Sequence, residues 1–238
     1  MLDESFYKRT WSPESSPIAD IVFIHGFAEH IDRYQQFFEF LAKKGLRIFA
    51  FDQRGFGKTA KTKSQYGVTG GWALALKDID DAVLMTKKEG IPLFLQGHSM
   101  GGALVLEYAI RRPHRHLIDG YISMAPLIEL SDTVSSIVLT MANVAAKMMG
   151  SFQLRNIVKP QDISRDQTVV EQYKNDPYVF LFIKMDSIDL DSLCHRTGTL
   201  KGVGDMLVGG MNLLKPESAK AITKPIVILH GDADKARV

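Results

Sequence analysis

Gly97-His98-Ser99-Met100-Gly101 follows the apolar run Leu93-Phe94-Leu95-Gln96 and opens a helical pattern. A Gly-x-Ser-x-Gly segment between strand and helix makes a sharp turn that lifts a serine hydroxyl above the sheet edge, where it can attack a carbonyl carbon. Gly97 and Gly101 carry no side chain and let the strand and helix approach each other. The Met100 N–H lies at the helix N-terminus, placed to donate to an oxyanion. His98 should point away through the elbow. An earlier block, His25-Gly26-Phe27-Ala28-Glu29-His30, makes a turn at Gly26, and the Phe27 N–H is the candidate second oxyanion donor. His25 and His30 read as loop-fixing residues, because a base is expected after the acid in chain order.

His230-Gly231-Asp232-Ala233-Asp234 follows the last apolar run. A carboxylate after a strand later than the serine is the acid such a nucleophile needs, so Asp234 is read as the acid and Asp232 as a loop-forming residue. The block Phe51-Asp52-Gln53-Arg54-Gly55-Phe56-Gly57-Lys58-Thr59 is rich in glycine. It lacks the Gly-x-x-x-x-Gly-Lys-Ser/Thr spacing of a phosphate loop and is read as a structural loop near the floor of the site.

Five apolar runs can position these residues: Asp20–His25, Leu46–Phe51, Ile91–Gln96, Ile118–Met124 and Pro225–His230. Most lack alternation, as in strands buried on both faces. Helical spacing predicts helices over 31–44, ending at Gly45, over 72–88, and over Met100–Arg112, stopped by Pro113. Strand–helix alternation of this kind implies α/β architecture, a mostly parallel sheet flanked by helices. The alternation breaks between Ala125 and Lys224, a stretch too long for a crossover. It is therefore read as a helical cap, 127–219, inserted in a discontinuous core of 1–126 and 220–238.

Composition narrows the function classes. Of 238 residues, 45% are hydrophobic and 24% charged, with 29 basic against 27 acidic side chains. These values fit a globular chain and give no electrostatic argument for nucleic acid. The single cysteine, Cys194, excludes an internal disulfide and fits a reducing compartment. Neither a secretory leader nor an apolar run near the ~20 residues of a membrane span is visible.

Together the motifs resemble the monoacylglycerol lipases of the serine α/β-hydrolases, fungal ones in particular. Val22–His30 with Arg33-Tyr34, Phe49–Thr59, Phe94–Gly102 and Ile228–Asp234 carry the resemblance. It implies the α/β-hydrolase fold and hydrolysis of monoacylglycerol to glycerol and fatty acid. It also implies Ser99 as nucleophile, Asp234 as acid, and Phe27 and Met100 as oxyanion donors, with no metal or cofactor. A cap whose apolar face meets a membrane or lipid droplet is implied too. The stripe Ile137, Val138, Met141, Val144, Ala145, Met148 and Met149 suits that role. Cytoplasmic residence, with peripheral contact to endoplasmic reticulum membrane or lipid droplets, is the corresponding expectation.

The chain departs from the family pattern twice. No histidine follows Asp234, so the triad base and the last strand and closing helices of the fold are expected to be missing. Of the seven histidines, His98 adjoins the nucleophile, His114 and His116 follow the departing helix, and His195 belongs to the cap. Fungal relatives resemble Asn-Asp-Pro-Leu-Cys-His read straight through, whereas here Tyr178–Ser192 separates Asn175-Asp176-Pro177 from Leu193-Cys194-His195. A read-through intron would produce that interruption. Two other readings compete: a lysophospholipase or short-chain carboxylesterase on the same core, and a catalytically dead lipid-binding or interaction protein.

Overall fold

The computed structural model describes residues 2–130, 152–154, 164–175, 198–232, 234 and 236–237. The expected apolar cap helix at 137–149, the interrupting segment 178–192, and Cys194 and His195 lie outside the described residues.

Strands β1 (Lys8–Trp11), β2 (Ala19–Ile24), β3 (Leu46–Phe51), β4 (Leu93–His98) and β5 (Gly120–Met124) precede the short β6 (Glu129–Leu130), β7 (Gln153–Leu154) and β8 (Gly198–Thr199). Then come β9 (Ile226–Leu229) and β10 (Ala236–Arg237). The main sheet has the order β1-β3-β2-β4-β5-β9. Only β1 runs antiparallel, pairing Lys8 with Phe51 and Trp11 with Ile48. All five expected strands are present and run parallel to one another. The edge strand β1 was not foreseen; its Lys8-Arg9-Thr10-Trp11 has little apolar content to mark it.

Helices α1 (Gln35–Lys43), α2 (Trp72–Thr86) and α3 (Met100–Arg111) match the predicted spans. The first turn of the 31–44 segment is a separate 3-10 turn, Ile31–Tyr34. Gly45 ends α1 at φ +90°, a conformation that favours glycine. Beyond β5 come α4 (Gln167–Asn175), α5 (Leu200–Leu213) and α6 (Pro216–Lys220). Within the expected 127–219 insertion, α5 packs against α3 and α2.

The alternation of β2 distributes two cores. Ile21 and Phe23 join Ile48, Ala50, Phe38, Ala42 and Trp11 on the α1 face. Val22 and Ile24 join Leu93, Leu95 and the α2 and α3 side chains Ile79, Val83, Leu104, Val105 and Tyr108. Period-two geometry sends successive side chains to opposite faces, so an unbroken apolar strand needs a helical layer on each side. At the far edge, among the described residues, β9 pairs only with β5, and Val227, Ile228 and Leu229 are 51, 47 and 57% exposed. Among the described residues β9 is an exposed apolar edge.

Candidate active site

Ser99 is the N-cap of α3 at φ +54°, ψ −118°, and makes no side-chain capping bond. Its N–H donates to the Met124 carbonyl at 2.9 Å, while its own carbonyl accepts from Leu127 N–H at 3.1 Å. The turn is as tight as the sequence implies. A Cβ on Gly97 would lie 2.3 Å from the Gly101 carbonyl oxygen, and one on Gly101 would lie 2.2 Å from that of Ile24. Neither approach is possible for a residue larger than glycine without displacing backbone.

Gly26 borders the nucleophile. A Cβ there would be 3.1 Å from Ser99 Cβ and 2.7 Å from Glu29 Oε2. The adjacent Phe27 is buried, its ring 5.1 Å from that of Phe56. The Phe27 and Met100 N–H groups thus lie on the two segments that meet at Ser99. Three non-glycine residues have positive φ among those described: Ala28 at +56°, Ser99 at +54° and Ala125 at +42°. They follow the C-terminal ends of β2, β4 and β5, and such strain gathers at functional sites. Composition gives no signal for Ala28 or Ala125, because alanine is unremarkable in a loop until its backbone is seen.

The histidines have separate tasks. His25 Nδ1–H donates to the Gly26 carbonyl at 2.7 Å, and Nε2 accepts the Gln53 N–H at 2.8 Å. The Gln53 side chain returns a bond to the His25 carbonyl at 2.7 Å. Burial pushes the His25 pKa down to about 4, against the Gly26 hydrogen bond and the Glu29 charge, which favour the proton. A neutral imidazole clamped at both nitrogens fixes a loop, as expected for this residue. His114 Nδ1 lies 3.3 Å from Asp80, and His116 Nδ1 donates to the Pro113 carbonyl, both beyond the C-terminal end of α3. His98 points to Glu29 and Tyr34, away from the nucleophile.

The 51–59 block is a structural loop. The buried Asp52 carboxylate accepts the Ile31 N–H at 2.8 Å and the Lys58 N–H at 2.7 Å, tying this loop to the end of the His25–His30 turn. Burial lifts the Asp52 pKa to about 6 even though both N–H groups favour its charge.

Asp234 follows β9, its N–H donating to the Gly231 carbonyl at 3.1 Å and its carboxylate lying 3.6 Å from His230 Nε2. Asp232 and Asp234 are both exposed on this loop, and the charge of Asp234 contributes to raising the His98 pKa. No described histidine hydrogen-bonds the Ser99 hydroxyl. A small cavity of about 20 Å³ lies beside Met100 and Leu104, lined also by Phe51, Trp72 and Met206, with the Arg54–Asp78 ion pair in its wall.

The family model for Hydrolase_4, serine aminopeptidase S33, matches residues 15–185. The chain belongs to this serine hydrolase family. It is 36% identical to a putative monoglyceride lipase of Schizosaccharomyces pombe over 96% of its own length and 57% of that protein's. It is 30% identical to the monoglyceride lipase of Saccharomyces cerevisiae, over 90% of this chain and 67% of that one. The crystal structure of a soluble variant of the Saccharomyces cerevisiae lipase with a substrate analogue aligns at TM-score 0.83 and 26% identity, over 98% of this chain and 75% of that chain. The resemblance to monoacylglycerol lipases and the α/β-hydrolase fold both hold. The chain spans little more than half the length of its Schizosaccharomyces pombe relative.

Two contributors to the site escaped sequence reading. Tyr34 falls within the predicted 31–44 helix and the family resemblance, with no polar role read for it. Its ring does pack 4.5 Å from Phe23, but its hydroxyl donates to Glu29 Oε2 at 2.7 Å. Glu29 stands in the His25–His30 block with no role read for it. A glutamate three residues after Gly26, able to reach back to the Gly26 N–H, was the available signal.

Proposed function

We propose that this chain carries the nucleophile, the acid and the oxyanion donors of a monoacylglycerol lipase. In that reaction a histidine base takes the Ser99 Oγ proton as the oxygen attacks the ester carbonyl, the N–H groups of Phe27 and Met100 receive the oxyanion, the proton passes to the departing glycerol oxygen, and water then hydrolyses the acyl-serine. Asp234 is the acid that orients a histidine base, and the family order places that base after it. The observation that carries this reading is the strained, uncapped Ser99 at the head of α3, against the Gly26 turn. Gly26, Gly97 and Gly101 give the close approaches the reaction needs, and His98 supports the elbow from behind.

Exposed Val208, Met211 and Leu214 on and after α5 support contact with a lipid surface, membrane or droplet, by a cytoplasmic protein. The main sheet draws its strands from residues 8–124 and 226–229, which supports a core of 1–126 with 220–238 and a cap over 127–219.

The test is hydrolysis of monoolein and of a short soluble ester by the purified chain and by Ser99→Ala. Monoolein activity that disappears in the variant supports the reading. Preference for the short ester would turn it toward a carboxylesterase. Equal rates in two folded proteins would overturn catalysis by this chain and favour a lipid-binding role.

A further inference from the structure

We propose that Glu29 is a positioning residue for the oxyanion loop, its carboxylate holding the Gly26 N–H, and so the turn that carries the Phe27 N–H, against Ser99 through an anchor on the residue preceding the nucleophile. This rests on the hydrolase reading above and deepens it. Glu29 Oε2 accepts the Gly26 N–H at 2.9 Å. The same oxygen accepts the Tyr34 hydroxyl at 2.7 Å and lies 3.2 Å from His98 Nδ1. Tyr34 Oη and His98 Nδ1 are 2.8 Å apart. The hydroxyl has one proton, which goes to the carboxylate. His98 Nδ1–H must then donate, shared between the tyrosine oxygen and Glu29. Each polar group in the cluster is thus assigned by the others.

The geometry connects this cluster to the reacting centre on both sides. Gly26 sits between the Glu29 carboxylate and the Ser99 side chain, so a shift of the carboxylate releases the turn that carries the Phe27 N–H. Ala28, between the anchor and the turn, is held at φ +56°. A strained residue persists only where its surroundings over-determine it, and the Gly26–Glu29 bond closes that turn. His98, the other end of the anchor, is covalently next to Ser99. One carboxylate therefore ties the loop after β2 to the end of β4.

The charges are consistent with a lasting anchor. Burial works against the Glu29 charge, but His98, the nearby Arg33 and the Tyr34 hydroxyl outweigh it and hold the carboxyl well below its usual range. Burial likewise opposes a cationic His98, and Glu29, with a contribution from Asp234, overcomes it and raises its pKa despite Arg33. An oxyanion donor contributes fully only when it is already aimed, and losing one costs about 10²–10³ in rate.

The test compares the full chain with Glu29→Ala and Glu29→Gln, reading Ser99 labelling by a fluorophosphonate, monoolein kinetics, and hydrogen exchange of the Gly26 amide. Glu29→Ala should lower the limiting labelling rate and kcat about 10- to 100-fold, with KM changed less than about threefold. The Gly26 amide should exchange at least about tenfold faster. Glu29→Gln keeps an acceptor for that N–H and should regain more than half of the lost rate on a logarithmic scale. Wild-type labelling rates in Glu29→Ala, or equal losses in both variants that track melting temperature, overturn the proposal. A wild-type chain that neither labels nor hydrolyses sinks the hydrolase reading instead. Gly26 exchange then decides the anchor alone: unchanged protection in Glu29→Ala overturns it.

Discussion

The Ser99 N–H donates to the Met124 carbonyl across 2.9 Å, so the elbow of β4 is bonded to the last residue of β5. One residue further, the Ala125 N–H donates to the Leu229 carbonyl at 2.6 Å. The C-terminal ends of β4, β5 and β9 are thus laced together across the edge that presents Ser99 and Asp234. Open parallel sheets place their ligands at this edge.

The strain at Ser99 is separable from its chemistry. Alanine at this position keeps a Cβ at φ +54°, whereas glycine adopts that backbone freely. Ser99→Gly should therefore be more stable than Ser99→Ala by roughly 1 kcal/mol in urea unfolding, and both should fail to react with a fluorophosphonate.

Gly101 and Gly102 are neighbours in α3 with unequal room. A Cβ at Gly101 would lie 2.2 Å from the Ile24 carbonyl oxygen, backbone that cannot yield without lifting α3 off β2. At Gly102 the nearest atoms are 3.1 Å away. Gly101→Ala should cost about 3 kcal/mol and abolish labelling of Ser99, with Gly102→Ala costing less than half as much, measured by denaturant midpoint.

His25 makes stability depend on pH. Its pKa is about 4 in the folded chain against an ordinary 6.5, so between those values the unfolded chain holds the extra proton. Stability from this residue is complete above pH 6.5 and declines as pH falls toward 4. Asp52, with its pKa raised to about 6, acts oppositely, losing stability as pH rises from 3.8 to 6. The difference between wild type and His25→Gln isolates the first effect. The variant should be less stable at pH 7.5, and with the opposing Asp52 contribution left, its urea midpoint should fall less than that of wild type, or rise, as pH drops from 6.5 to 4.

The open flank of β9 carries three apolar side chains about half exposed. Edges of this kind pair with other strands. Light scattering should show concentration-dependent association of the purified chain, and Ile228→Lys should reduce it several-fold. An unchanged association would place the contact elsewhere.

The parallel core was legible because burial on both faces leaves a plain signature: short β-branched runs without alternation, separated by amphipathic helices. The predicted edges of β3, α2 and α3 differ from the observed ones by at most two residues. β1 was not legible. An antiparallel edge strand buries one side against β3 and leaves the other polar, and four residues are too few for a period to show. The start of α1 was also displaced, because Ile31–Tyr34 forms a 3-10 turn whose Ile31 N–H is taken by Asp52, a partner remote in sequence.

At the site, sequence by itself determined what depends on local backbone chemistry. Glycines two residues either side of Ser99 require a tight turn, and a turn between strand and helix exposes the residue at its apex. Only the tertiary structure decided what depends on distance between remote segments. It turned His98 toward Glu29 and Tyr34, clamped His25 with Gln53, and showed Ala28 and Ala125 sharing the strain of Ser99. Apart from the three-residue step from Gly26 to Glu29, nothing in the spacing of a glutamate, a tyrosine and two alanines marks them. Their roles arise when three strand ends converge and leave each polar group one partner within reach.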